Sequence, residues 1–189
     1  MMATCDSCKT EITGQVFHLN DPIVGGTYCT DCHNRVLSKY LGSDFEDIKF
    51  EPLQIKDAYG KKHTFYFETV LFPTGIVIEA DEQLKVDKGG YKFSILGDFE
   101  SDQRSLQSML VQKIQKALKQ KHLEKNEMNK SYNLSEIVRG RIDYDHDIDG
   151  PSIVIDGKNF SLDEFGRMLM TYEGFQFRLE FIDPSEEVK

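Results

Sequence analysis

"CDSCKTEITGQVFHLNDPIVGGTYCTDCHNRVL", residues 5–37, holds all four cysteines of the 189-residue chain as two Cys-x-x-Cys pairs. Two residues between cysteines let the backbone turn tightly enough for both sulfurs to reach one ion at ~2.3 Å, and two such turns complete a tetrahedron. Cys5, Cys8, Cys29 and Cys32 are therefore expected to hold a single Zn2+. A redox dithiol would instead follow a strand in a βαβ unit, and no such unit is readable here. Four thiolates fill the coordination shell, which assigns the ion a structural role and leaves no need for His18 as a ligand. His33 directly follows Cys32 and is expected to point away from the metal as an exposed side chain.

Between the pairs, Val16, Phe17 and Leu19 form one arm of an expected hairpin. Asp21-Pro22 and Gly25-Gly26 supply turn residues, and Thr27-Tyr28 lead into the second pair. Thr30-Asp31 are then expected to cap a helix carrying Val36, Leu37, Tyr40 and Leu41 and ending at Gly42. Amides at a helix start favour thiolates. Knuckle, hairpin and ligand-bearing helix resemble a treble-clef zinc finger, similar to half of a LIM-type module, with the same four cysteines as matching ligands. A module this small buries little surface, so its folding should be coupled to metal binding.

From Phe50 to Asp98 the period changes to two. "HTFYFETVLF" sets Phe65, Phe67, Thr69 and Leu71 against Thr64, Tyr66, Glu68 and Val70, placing large side chains on both faces of one strand. "FEPLQI", "IVIEA" and "YKFSILG" complete three or four antiparallel strands, with turns at Pro73-Thr74-Gly75 and at residues 87–90. A helix over residues 102–127, capped by Ser101-Asp102, is expected to cover the sheet with Leu106, Met109, Leu110, Ile114, Ala117 and Leu118.

"NEMNKSYN" reads as a polar linker. Beyond it, Ile142–Tyr144 and Ile153–Ile155 are expected strands around an acidic loop, and Asp156-Gly157 a turn. Ser161 with Glu164 forms a capping-box pattern that starts a helix bearing Phe165, Met168, Leu169 and Tyr172 and ending at Gly174. "FQFRLEFI" alternates Phe175, Phe177, Leu179 and Phe181 against Gln176, Arg178 and Glu180, which predicts a half-buried closing strand. "DHDIDG" places Asp145, Asp147, Asp149 and Gly150 like the first half of a calcium-binding loop, with Asp156 in the twelfth position. Flanking strands and Pro151 favour a plain acidic turn.

The expected fold class is thus α+β. An N-terminal treble-clef zinc finger (1–43) precedes an antiparallel sheet with a long amphipathic helix (44–128). A C-terminal β-β-α-β unit (129–189) follows, standing alone or packing with 44–128 as one domain. At "GRIDYDHDIDG", "FSLDEFGRMLMTYEGFQFRLEFIDPSEE", "YKFSILGDFESDQ" and "KALKQKHLE" the chain resembles an uncharacterised bacterial family that joins an N-terminal zinc knuckle to an α+β body of unknown function. That resemblance carries no catalytic residue with it.

Net charge is −9, and only residues 102–130 are basic, with seven Lys and Arg against three Asp and Glu. The knuckle itself sets Lys9, Arg35 and Lys39 against Asp6, Glu11, Asp21 and Asp31, a balance that disfavours unaided phosphate binding. No apolar run approaches the ~18 residues that cross a bilayer, and Met1–Thr10 is not built like a secretory signal, which predicts a cytoplasmic protein with reduced thiols. No Gly-x-Ser-x-Gly and no phosphate-cradling glycine loop occurs, and His63, His122 and His146 lack ligand spacing. The leading expectation is a non-catalytic, zinc-stabilised protein-interaction or adaptor protein that binds another protein, with the aromatic strand around Tyr66 and Val70 as docking edge or homo-oligomer interface. The alternatives are a nucleic-acid-binding zinc-finger protein, or an enzyme whose site is assembled from distant residues and leaves no trace in sequence.

Overall fold

A computed structural model describes residues 3–82, 89–126 and 131–186, and within them mixed α and β structure with antiparallel sheets and three helices. The first cysteine pair lies in a tight turn closed by a bridge between Thr4 and Glu11, with Cys5 N–H donating to Thr10 O at 2.9 Å and Lys9 in the left-handed region at φ 61. Strands β1 (Phe17–Leu19) and β2 (Gly26–Tyr28) pair antiparallel, with Phe17 opposite Tyr28. Asp21 shapes their loop by accepting from the amides of Ile23 and Val24 at 2.8 and 3.1 Å. Helix α1 (Thr30–Leu41) follows directly and stops at Gly42, whose φ of 65 suits only the left-handed cap. Its N-cap is Cys29 rather than Thr30 or Asp31, and no side chain caps it.

A four-stranded meander joins β3 (Leu53–Lys56), β4 (Lys62–Phe72), β5 (Gly75–Glu82) and β6 (Lys92–Gly97) in sequence order. β3 pairs only with the first part of β4, from Leu53 opposite Phe65 to Lys56 opposite Lys62. Gly75 is required at the β4–β5 turn, because its φ is 143 and an added Cβ would collide with the Gly97 carbonyl. The expected turn at residues 87–90 lies partly outside the described residues. Helix α2 (Gln103–Leu118) is capped by Asp102, which accepts from Ser105 N–H at 3.0 Å. It buries Leu106, Leu110, Ile114 and Leu118, but Met109 is exposed, so the apolar stripe is narrower than the sequence suggested.

α2 ends nine residues before the expected position, and Leu123–Lys125 forms β7, paired antiparallel with β8 (Tyr132–Leu134). The cause is remote in sequence: the Asp156 carboxylate takes the amides of both His122 and Leu123, at 2.8 and 3.0 Å. Of the polar stretch read as a linker, Tyr132 and Asn133 belong to β8; residues 127–130 lie outside the described residues.

Strands β9 (Arg141–Asp145), β10 (Gly150–Ile155) and β11 (Lys158–Ser161) form a second meander in the order β11-β10-β9. Asp156 and Gly157, at φ 48 and 71, make the two-residue turn that the right-handed twist of a hairpin favours. Helix α3 (Leu162–Leu169) starts with Ser161 and Glu164 in a reciprocal capping box and continues as a 3-10 turn, Met170–Tyr172. No strand follows. The expected closing strand is corrected: Phe175, Phe177, Leu179 and Phe181 are exposed and residues 175–183 have no ladder partner, so the order here is β-β-β-α. Alternation fixes which side chains share a face, but a strand also needs a free edge within reach.

The described residues of Met1–Glu51, Phe67–Glu79 and Ser94–Leu110 form one compact unit, and those of Pro52–Tyr66, Ala80–Phe93 and Val111–Lys189 another. In the first, Cys5, Ile12, Phe17, Tyr28, Cys32 and Val70 make a core, with Leu37, Leu71 and Ile76 beside Phe45 as a second cluster. In the second, Leu123, Leu134 and Ile155 are buried beneath Phe165, Met168 and Tyr172.

Candidate functional site

The knuckle turn and the first turn of α1 bring the sulfurs of Cys5, Cys8, Cys29 and Cys32 within 4.8 Å of one another. This is the one such cluster of His, Cys, Asp and Glu among the described residues. All four are free thiols, Cys5 and Cys32 buried and Cys8 exposed. The Asp6 backbone N–H donates to Thr27 O, and its carboxylate accepts Thr27 N–H, both at 2.7 Å, tying the knuckle to β2. Cys29 is the N-cap of α1 and Cys32 lies on its first turn, where the amides are unpaired.

Proton affinity is uneven across the cluster. Burial opposes the charged form of Cys5, but the backbone amides of Cys8, Cys29 and Ser7 outweigh it and bring the thiol down to about 6. Hydrogen bonding to Thr10 lowers Cys8. Burial, reinforced by the neighbouring sulfurs, pushes Cys29 up to about 12, and burial raises Cys32 as well. Four thiolates this close repel one another, and a dication at their centre removes that conflict. The donor set therefore fits a metal ion: four soft sulfurs within 4.8 Å of one another, two of them already inclined to ionise.

Of the two histidines near the cluster, only His33 is placed differently from expectation. His18 is exposed and its Nδ1 lies 3.1 Å from Thr27 Oγ1, outside the sulfur cluster. His33 is not exposed: it is 3% accessible, stacks on Phe17 at 4.1 Å between ring centroids, and its Nε2 lies 2.8 Å from Leu71 O. Burial lowers its affinity for a proton. Beside it, Asn34 donates from Nδ2 to Thr69 O at 2.7 Å and accepts Leu71 N–H at 2.9 Å. β3 does not reach this part of β4, so a side-chain amide on α1 completes the strand's backbone pairing. Val70 accordingly packs among the cysteines, and the stretch Thr69–Leu71 is covered by the chain's own helix.

A second polar constellation gave no signal in sequence. His63 Nδ1 lies 2.6 Å from Glu82 Oε1 and its Nε2 3.4 Å from Asp57 Oδ2, while Lys121 Nζ reaches the same Asp57 oxygen at 2.9 Å. Tyr91 stands edge-on to His63, and Lys121 lies over the Tyr59 and Tyr91 rings. Burial opposes ionisation of Asp57, yet Lys121 and the amides of Tyr59 and Lys61 hold its carboxyl well below the usual range. Glu82 is likewise depressed: burial opposes its charge, but His63 and the Tyr91 amide prevail. With the His63, Asp57 and Glu82 side chains 1%, 3% and 4% exposed, these groups face protein and form an internal network.

Asp145, Asp147 and Asp149 do not converge. Asp145 accepts from Asp147 N–H at 2.9 Å and Asn159 Nδ2 at 3.2 Å, and Tyr144 donates to Asp149. Asp156 caps the start of β7. The loop is a four-residue hairpin turn between β9 and β10, not a cation cage.

Residues 46–119 match a family model described as "Domain of unknown function (DUF7686)", and residues 122–186 match one described as "Domain of unknown function (DUF7713)". No curated protein and no solved structure matches the chain. No helix among the described residues is long and apolar enough to cross a membrane.

Proposed function

We propose that this is a non-catalytic, zinc-stabilised protein-interaction or adaptor protein of the cytoplasm. Four thiolates select a soft tetrahedral ion and leave it no open position, which supports one structural Zn2+ held by Cys5, Cys8, Cys29 and Cys32. Knuckle, hairpin and α1 then read as a treble clef whose purpose is to present His33 and Asn34 to β4. The observation that carries the interaction role is the segment Phe175–Phe181, whose four alternating apolar side chains are 67–90% exposed. Single exposed apolar residues are ordinary, but a contiguous strand-like row of them marks an interaction surface.

The test is capture from the source organism with metal-loaded protein, chelated protein and a Phe177→Asp variant. The expected result is a protein retained by the first and lost by the variant. Nucleic acid retained by all three, with steep salt dependence, would replace this reading with the nucleic-acid one.

A further inference from the structure

We propose that Phe175–Phe181 adds as an antiparallel strand to the free edge of β9 in a second copy of this chain, the two copies exchanging tails about a two-fold axis. This rests on the interaction reading above and names the occupant of that surface. Among the described residues β9 is the edge of its sheet, and Ile142 and Tyr144 stand 59% and 56% exposed along it. Across β10 they face Ile153 and Pro151, so an added strand would extend an apolar face already begun.

Side-chain chemistry selects the register. Antiparallel pairing with Phe177 opposite Tyr144 sets Leu179 opposite Ile142, Arg178 opposite Asp143 and Glu180 opposite Arg141. A slip of two residues one way opposes Arg178 to Arg141, and the other way opposes Glu180 to Asp143. A slip of one residue turns the apolar row to the wrong face. Parallel pairing that aligns Arg178 with Asp143 puts Glu180 against Asp145.

The chain's own edge is not the receptor, because both ends of the segment are held elsewhere. At one end Phe175 N–H donates to Tyr172 O at 3.0 Å, and Tyr172 O–H donates to Leu134 O at 2.7 Å. At the other, Lys113 Nζ donates to the carbonyls of Pro184 and Glu186 at 2.7 and 2.9 Å. A reciprocal exchange buries eight large side chains across two edges, on the order of 1,000 Å2, the lower bound for a specific interface, and its symmetry closes the assembly at two copies.

The experiment is sedimentation or light scattering of the full, metal-loaded chain at concentrations up to about 100 µM. A dimer is expected. Phe177→Asp should abolish it, with circular dichroism and metal content unchanged. The tail reversal Arg178→Glu with Glu180→Arg should weaken association roughly ten- to hundredfold, and adding Arg141→Glu with Asp143→Arg should restore it. A monomeric wild type, a dimer indifferent to Phe177→Asp, or a folded fourfold reversal that stays monomeric would each overturn the proposal. A monomer that still captures another protein through the tail rejects self-pairing and keeps the interaction role. A monomer that captures nothing through it rejects both.

Discussion

Asn34 behaves as a strand one residue long. Its carboxamide offers the donor and the acceptor that a neighbouring peptide would offer, and Thr69 O and Leu71 N–H, both buried, have no strand beside them to use instead. Asn34→Leu keeps the volume but orphans both backbone groups, so a loss of about 2–4 kcal/mol in urea unfolding is expected. Around His63 the relevant variable is pH. Asp57 and Glu82 both have carboxyls depressed in the folded state, so their contribution is complete above the unfolded values near ~4 and is lost as pH falls through the folded ones. Urea midpoints recorded downward from pH 6 should therefore fall less steeply for Glu82→Gln than for the wild type. Equal slopes would show that the network does not couple folding to protons.

At the scale of elements, what the sequence disclosed was local. The cysteine spacing, the Asp156-Gly157 turn, the Gly42 stop and the Ser161–Glu164 box each depend on residues within a turn of one another, and each has a counterpart in the structure. Ser161→Ala removes an acceptor for Glu164 N–H and should cost about 1 kcal/mol in thermal unfolding, recovered largely by Ser161→Asp. Elements decided by remote partners were not legible. The α2 periodicity continued past Leu118, but Asp156 drew residues 122 and 123 into β7, and no spacing rule could foresee a carboxylate 33 residues away. Nor could periodicity show that His33 and Asn34 would meet β4, or that Asp57, His63, Glu82 and Lys121 would gather. The placing of α1 on β4 gives metal removal a specific signature: chelation should raise amide exchange most at Leu71 and along Thr30–Leu41, with a smaller rise along β9–β11 that follows the loss of global stability. Uniform loss of protection would mean that the ion supports the whole chain and not this contact first.

For the whole molecule, connectivity constrains how it unfolds. The two compact units are not consecutive lengths of chain: β4, β5, β6 and α2 each contribute residues to both, the division falling after Tyr66, Glu79, Phe93 and Leu110. A strand cannot keep its ladder in one half while the other half loses backbone order without fraying at the junction, and the first unit's hydrophobic clusters draw on such shared elements through Val70, Leu71 and Ile76. Scanning calorimetry of the metal-loaded protein should therefore give a single transition whose calorimetric and van't Hoff enthalpies agree. Chelation removes a ligand of the folded state and should lower that one transition as a whole, by an amount that grows with the logarithm of the free metal concentration replaced. Two separate transitions, with only the lower one sensitive to chelator, would show instead that the cysteine cluster stabilises its own unit and that the shared strands tolerate a boundary within them.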